Sequence, residues 1–219
     1  MQGKFLITPL SFLLLILVLG CGEIDQERPG EIDQDMLDDA LRVAVVAGRA
    51  QDAGLLLRGG ANVNAKYEYG RSALMIAVSR ASVSGVRVLL ENGADVDEND
   101  EHGRTVLMYA VQPQSLRNGE NIEIFEMILG KHPDVNANNG FTALMGVVAG
   151  DMGDVIDGRL RSSETALYMA RRLIEEGADV NAVDDRGCTA LDYAGFPPLP
   201  QLLIDAGAKR GERCPGIIY

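Results

Sequence analysis

Gly70-Arg71-Ser72-Ala73-Leu74-Met75 decides how this chain folds, because the same phrase returns three more times. It reads Gly103-Arg104-Thr105-Val106-Leu107-Met108, then Gly140-Phe141-Thr142-Ala143-Leu144-Met145, and last Gly187-Cys188-Thr189-Ala190-Leu191-Asp192. A second phrase alternates with it: Gly60-Ala61-Asn62-Val63-Asn64, Gly93-Ala94-Asp95-Val96-Asp97, Pro133-Asp134-Val135-Asn136 and Gly177-Ala178-Asp179-Val180-Asn181. The first two copies of each phrase stand 33 residues apart. A fixed period of that size marks stacked supersecondary units, none of which buries its apolar face alone.

The copy from Gly70 to His102 shows the local logic. Ser72 is placed to cap a short helix whose inward positions are Leu74 and Ala77. Ala81 and Ser82 turn the chain, and Val83 to Glu91 forms a second helix with Val86, Leu89 and Leu90 on its apolar face. Gly93 suits the left-handed conformation that ends a helix. Asp95, Asp97, Asn99 and Asp100 then fit a polar turn that projects from the stack.

The 219 residues contain no Trp and only 5% aromatics, so the core is built from Ala, Leu, Val, Ile and Met. The net charge of −12 opposes a nucleic-acid backbone or an anionic lipid surface as the main partner. A basic protein partner, or solubility alone, agrees better with it.

At the residues quoted, the chain resembles the ankyrin repeat. The family's Thr-Pro-Leu-His phrase stands here as Ser/Thr-Ala/Val-Leu-Met/Asp, without the Pro and the His. The resemblance covers about residues 38–210 and implies an all-α solenoid of about five helix-turn-helix units with short β-turn fingers, followed by a tail over 211–219. The first unit, from Asp38 to Lys66, lacks the opening glycine, and the last is shortened between Ala194 and Leu203. The third unit gains residues around Gln112 to Asn121 and the fourth around Ala149 to Ser163, both between the two helices. Equal places in adjacent units are neighbours, so the two insertions are expected to form one protrusion.

In the ankyrin family the variable finger residues and the outward part of the first helix face partners. By position, the resemblance implies Lys66, Glu68, Tyr69, Arg71, Ser79 and Arg80 in one repeat. In the next it implies Asn99, Glu101, His102, Arg104 and Gln112, followed by Phe141, Val183, Asp185 and Arg186. Tyr67, Tyr69 and Phe141 add aromatic area of the kind interfaces favour.

The N-terminus reads as an address. One charge, Lys4, precedes an apolar run from Leu10 through Leu19, broken only by Ser11, the pattern of a secretory signal over 1–20. Val18-Leu19-Gly20-Cys21 resembles the lipobox of bacterial lipoproteins, which implies cleavage before Cys21 and acylation of its thiol and amine. Two or three acyl chains anchor almost permanently, at about 0.8 kcal/mol per buried methylene. Gly22 in the following position, where Asp serves as an inner-membrane retention signal, implies the outer membrane, facing the periplasm. Residues 22–37 repeat Gly-Glu-Ile-Asp-Gln, are acidic and poor in apolar residues, and read as a spacer reaching on the order of 22 Å.

Little in the chain resembles reaction chemistry. His102 and His132, the only two histidines, have no Cys, Ser or second His at a meaningful interval. Asp95-Val96-Asp97-Glu98-Asn99 looks like the start of a calcium loop, but Asp100 stands where the sharp turn needs Gly. No glycine-rich phosphate loop is present, and no cofactor is implied. With Cys21 assigned to lipidation, Cys188 and Cys214 remain as a candidate disulfide or as two independent thiols. The resemblance places Cys188 on an exposed finger.

The sequence therefore points to a non-catalytic protein-binding module, lipid-anchored in the bacterial envelope. Three alternatives stay open: an immunity or inhibitor protein for a periplasmic toxin or enzyme, a small hydrolytic or metal-assisted site built on the inserted loops, and a purely structural module that stabilises a complex without specificity of its own.

Overall fold

The computed structural model describes residues 33–112, 120–150, 161–195 and 197–214. The signal segment, Cys21, the first part of the spacer and the centres of both insertions lie outside these residues. Two compact units divide at Asp100 and Glu101. Every named element among the described residues is helical, and the single β-bridge, Lys66 with Ser72, closes a finger.

The first unit contains α1 (Gln34–Val46), α2 (Ala50–Arg58), α3 (Ala73–Ser79) and α4 (Val83–Glu91). Here α1 packs on α2 and α3, and α2 packs on α4, which gives an inner and an outer row. Ala40, Leu41, Ala44, Leu74, Ala77, Val86 and Leu89 are fully buried between them. Ser72 Oγ accepts the Met75 N–H at 3.4 Å, and Ser82 Oγ accepts that of Gly85 at 3.3 Å, so both helices begin where the sequence places them.

The second unit contains α5 (Val106–Ala110), α6 (Glu120–Leu129), α7 (Ala143–Gly150), α8 (Arg161–Glu175), α9 (Ala190–Tyr193) and α10 (Leu199–Asp205). Helices α5, α7 and α9 follow one another as the inner row, backed by α6, α8 and α10. Its core is Leu107, Ile124, Phe125, Ile128, Leu144, Met145, Met169 and Leu173. Among the described residues the helices pair off five times, in keeping with about five repeats.

The recurring Gly-Ala-Asp/Asn-Val-Asn phrase has two structural jobs. Its first polar residue folds the turn: Asn62, Asp95, Asp134 and Asp179 each accept the N–H two residues on, at 2.9–3.0 Å. Its last Asn reaches the next repeat. Asn136 accepts the Asp179 N–H at 2.7 Å and donates to the Gly177 carbonyl at 3.0 Å. Asn181 does the same towards Lys209, at 2.8 Å, and Gly207, at 3.2 Å. Asn64 accepts the Asp95 N–H at 2.9 Å. Loop amides that helices leave unpaired are thus satisfied from the neighbouring repeat.

Four expectations need correction. The segment read as spacer to residue 37 already contains the start of α1, because Gln34 donates to the Gly60 carbonyl at 3.0 Å and Asp38 accepts the Asn62 N–H at 2.6 Å. These two residues do from a helix what Asn does in later repeats. The insertions are narrower than expected, since α6 begins at Glu120 and α8 at Arg161; their joint protrusion lies outside the described residues. Asp100 is buried rather than displayed on a turn. Its counterpart Asp184 shows why: the carboxylate sits inside the loop and accepts the N–H groups of Arg186 and Cys188 at 2.9 and 2.8 Å.

The fourth correction concerns the end of the chain. Cys188 is 1% exposed and bonded to Cys214, so it is not an exposed finger thiol. The tail expected to start at 211 is held to the last repeat over its described part. Asp192 accepts the Thr189 and Gly211 N–H groups at 2.9 and 2.7 Å, and Thr189 donates to the Lys209 carbonyl at 2.7 Å. Asp192 stands where earlier repeats carry Met, and its carboxylate ties the first turn of the last repeat to Gly211.

Candidate interaction surfaces

In the first unit, the finger that follows α2 runs from Tyr67 to Arg71, whose N–H and C=O close it at 2.9 Å. Its tip is Tyr69, 63% exposed and held at a φ of 61°. A bulky side chain in the left-handed region costs on the order of 1–3 kcal/mol, which tertiary structure must offset. The result is a large aromatic ring displayed to solvent. The Arg71 guanidinium lies 5.7 Å from the centre of that ring.

Beside this tip is a polar hollow of about 120 Å³, lined by Arg42, Val46, Tyr67, Glu68, Arg71, Ile76, Ser79 and Arg80. Of the expected partner-facing residues, it gathers Glu68, Arg71, Ser79 and Arg80. Lys66 has a different use: its ammonium pairs with Glu98 at 2.5 Å and donates to the Asn99 carbonyl at 3.0 Å, joining one finger to the next. Asn99 is exposed, but its backbone oxygen takes part in that link. Tyr67 donates to the Asp38 carbonyl at 2.8 Å. Burial, reinforced by the charge of Asp38, holds its phenol above the ordinary tyrosine range.

The second unit carries a larger and mainly apolar hollow of about 320 Å³. Arg104, Met108, Val111, Gln112, Asn139, Phe141, Thr142, Gly146, Ala149 and Gly150 line it. It brings together Arg104 and Gln112 of one repeat and Phe141 of the next. Phe141 is set edge-on against Tyr193, with ring centres 5.7 Å apart, and Arg104 lies 4.9 Å over the Tyr109 ring. Asn139 fixes the finger by donating to the His102 carbonyl at 2.9 Å. Glu101 and His102 are exposed on that finger and do not line the hollow.

Further along, Arg186 donates to the Tyr193 hydroxyl, which donates in turn to Asp184. Burial works to raise the Asp184 pKa, but bonds from Tyr193, from two backbone N–H groups and from Arg186 outweigh it and hold the carboxyl below its usual range. Asp185 packs on Gly140, where a methyl would approach its carboxylate to 2.3 Å. Asp185 and Arg186 are therefore largely engaged in setting the finger, while Val183 remains 51% exposed.

Arg42 escapes the sequence reading for a positional reason. The residue 33 places later is Met75, which is fully buried, so the repeat frame assigns that position to the core. In the first repeat no preceding inner helix among the described residues covers it. The roles of Met108 and Gly146 in the apolar hollow are equally absent from the frame, because both belong to its structural positions.

The potential metal ligands that cluster among the described residues are Cys188, Asp192 and Cys214. Two of them form the disulfide and the third is occupied by Thr189 and Gly211. His102 and His132 sit in separate turns. No helix among the described residues is long and apolar enough to cross a membrane.

The fold is an all-α ankyrin solenoid, the class of repeat structure that serves protein interaction. The ankyrin-repeat family model, which describes three copies, matches residues 41–139, so ankyrin repeats are present over that part of the chain. The fourth and fifth helix pairs continue the same phrases beyond the match. No curated protein matches the chain.

Proposed function

We propose that the chain is a non-catalytic protein-binding module of the bacterial envelope, anchored by lipid on Cys21 and facing the periplasm from the outer membrane. One observation carries the binding part: Arg104, Gln112 and Phe141, chosen as partner-facing by position, converge on the same 320 Å³ apolar hollow. Concave apolar sites with a few convergent polar groups are where partners find anchors. The Cys188–Cys214 disulfide supports the location, because such bonds persist in oxidising compartments. The apolar N-terminal run and Val18-Leu19-Gly20-Cys21 supply the rest of that argument.

Crosslinking of the membrane-anchored protein in cells, followed by mass spectrometry, tests the reading. One dominant partner, lost when Phe141→Ala is introduced, is the expected result, and a diffuse set of neighbours contradicts it. Incorporation of labelled fatty acid, abolished by Cys21→Ala, tests the anchor. A toxin-neutralising role remains the second reading, favoured by the acidic charge of −12 if the captured partner is a basic enzyme. Stoichiometric metal or catalytic turnover in the purified protein would instead favour a site on the inserted loops.

A further inference from the structure

The hollow beside Tyr69 runs against the charge of the molecule. The chain carries −12 overall, yet Arg42, Arg71 and Arg80 face one small space whose only acidic lining residue is Glu68. Arg42 is held by Asp39, with Nη2 to Oδ1 at 2.7 Å. Arg71 and Arg80 form no ion pair among the described residues. Arg71 is steadied by the Glu68 carbonyl, 3.4 Å from its Nε, and by the ring of Tyr69. In a protein with 32 acidic and 20 basic side chains, two guanidinium groups left without a carboxylate in one concavity are a local excess of positive charge.

The remaining lining groups narrow what fits. The hydroxyl of Tyr67 is committed to the Asp38 carbonyl and that of Ser79 to Ile76 O at 2.9 Å. The donors left for a ligand are therefore arginine N–H groups, whose planar fork suits an oxyanion. The volume, about 120 Å³, is well below the roughly 300 Å³ at which small-molecule sites begin. It suits a single compact group that arrives attached to something larger. Tyr69, exposed against the Arg71 guanidinium, offers the apolar contact such an attachment would use.

We propose that this hollow is an oxyanion subsite, which receives a carboxylate or phosphate group presented by the bound partner protein. The inference rests on the partner-binding reading above. It adds that the partner, whatever its overall charge, is acidic at the point where it meets the first unit.

The test is a titration of the full chain, following the arginine side-chain Nε–H signals by NMR at constant ionic strength. Sodium phosphate and sodium acetate serve as separate probes and sodium chloride as the balance. Saturating shifts at Arg71 and Arg80, with Arg58 unmoved, are expected for at least one probe, and the responding probe identifies the oxyanion. The double variant Arg71→Gln/Arg80→Gln should weaken that response at the neighbouring Tyr67 and Ser79 amides at least tenfold, while its other amide signals show that it remains folded. Linear shifts shared by all arginines mean general screening and overturn the inference. The crosslinked partner separates the two readings. A partner retained equally well by the double variant sinks the subsite and leaves partner binding intact. Saturation without any captured partner sinks the partner reading instead.

Discussion

Gly211 lies against Gly187 so closely that a methyl group built on it would stand 1.9 Å from the Gly187 carbonyl oxygen. Gly211 is needed for this approach alone. Its N–H also reaches Asp192, so the chain after α10 seals onto the first turn of the last repeat. Gly211→Ala must push that segment away and is expected to cost about 1–3 kcal/mol, as overpacking does. Gly54→Ala is the opposing control. It sits inside α2, where a methyl meets Val88 and Arg58 at 3.5–3.6 Å, an ordinary contact. There alanine should stabilise by about 0.5–1 kcal/mol through helix propensity. Thermal melts of the two variants should move in opposite directions, and a Gly211→Ala melt that matches the parent contradicts the packing described.

The disulfide closes the same end. Cys188 and Cys214 are separated by 26 residues, and loop-closure entropy for such a span stabilises by about 3.5 kcal/mol in the chain-entropy model. Reductant should therefore lower the melting temperature of the parent and leave that of Cys214→Ser unchanged. An equal response of both proteins would show that the bond contributes nothing.

The repeat count, the paired helices and their caps were legible in the sequence because stacking imposes one phrase on every unit. Ser72 and Gly93 behave as the phrase requires, with the cap bond at 3.4 Å and φ at 83°. The ends were not legible, and for the same reason. An end repeat solves a problem the interior copies do not have, using residues outside the phrase: Gln34 and Asp38 at one end, Asp192 and Gly211 at the other. The candidate site divides similarly. Arg104, Gln112 and Phe141 follow from position, whereas Arg42 occupies a core slot of the frame and becomes available only in the first repeat. Lys66 shows the converse, a finger cation that serves its own neighbour, Glu98.

Tyr67 gives the first unit a definite alkaline behaviour. Burial, followed by the Asp38 charge, raises its pKa above the unfolded value of about 10. Below that pH both states hold the proton and the group does not affect stability's pH slope. Above it the unfolded chain releases the proton while the folded one keeps it, so stability falls as pH rises. Tyr67→Phe should flatten the loss between about pH 10 and 11 while also removing the bond to Asp38. Urea unfolding at several pH values measures this directly, and an unchanged slope in the variant would falsify the assignment.

His132 is the clearest place where the sequence departs from what the backbone asks. It adopts a φ of 55° at the helix-ending position where the other copies have Gly60, Gly93, Gly177 and Gly207, all at positive φ. A residue with a Cβ in that region costs about 1–2 kcal/mol. Glycine would remove the strain but give back about 0.5–1 kcal/mol through the greater freedom of the unfolded chain. The ring is exposed, and the bond from the His132 N–H to the Leu129 carbonyl, at 2.9 Å, does not depend on the side chain. His132→Gly should therefore stabilise by about 0.5–1 kcal/mol. Gly177→Ala, at the equivalent turn with open space around it and a φ of 91°, should destabilise by about 1 kcal/mol. Chemical denaturation of the pair decides the matter: midpoints that shift the same way would mean that backbone conformation does not govern these turns.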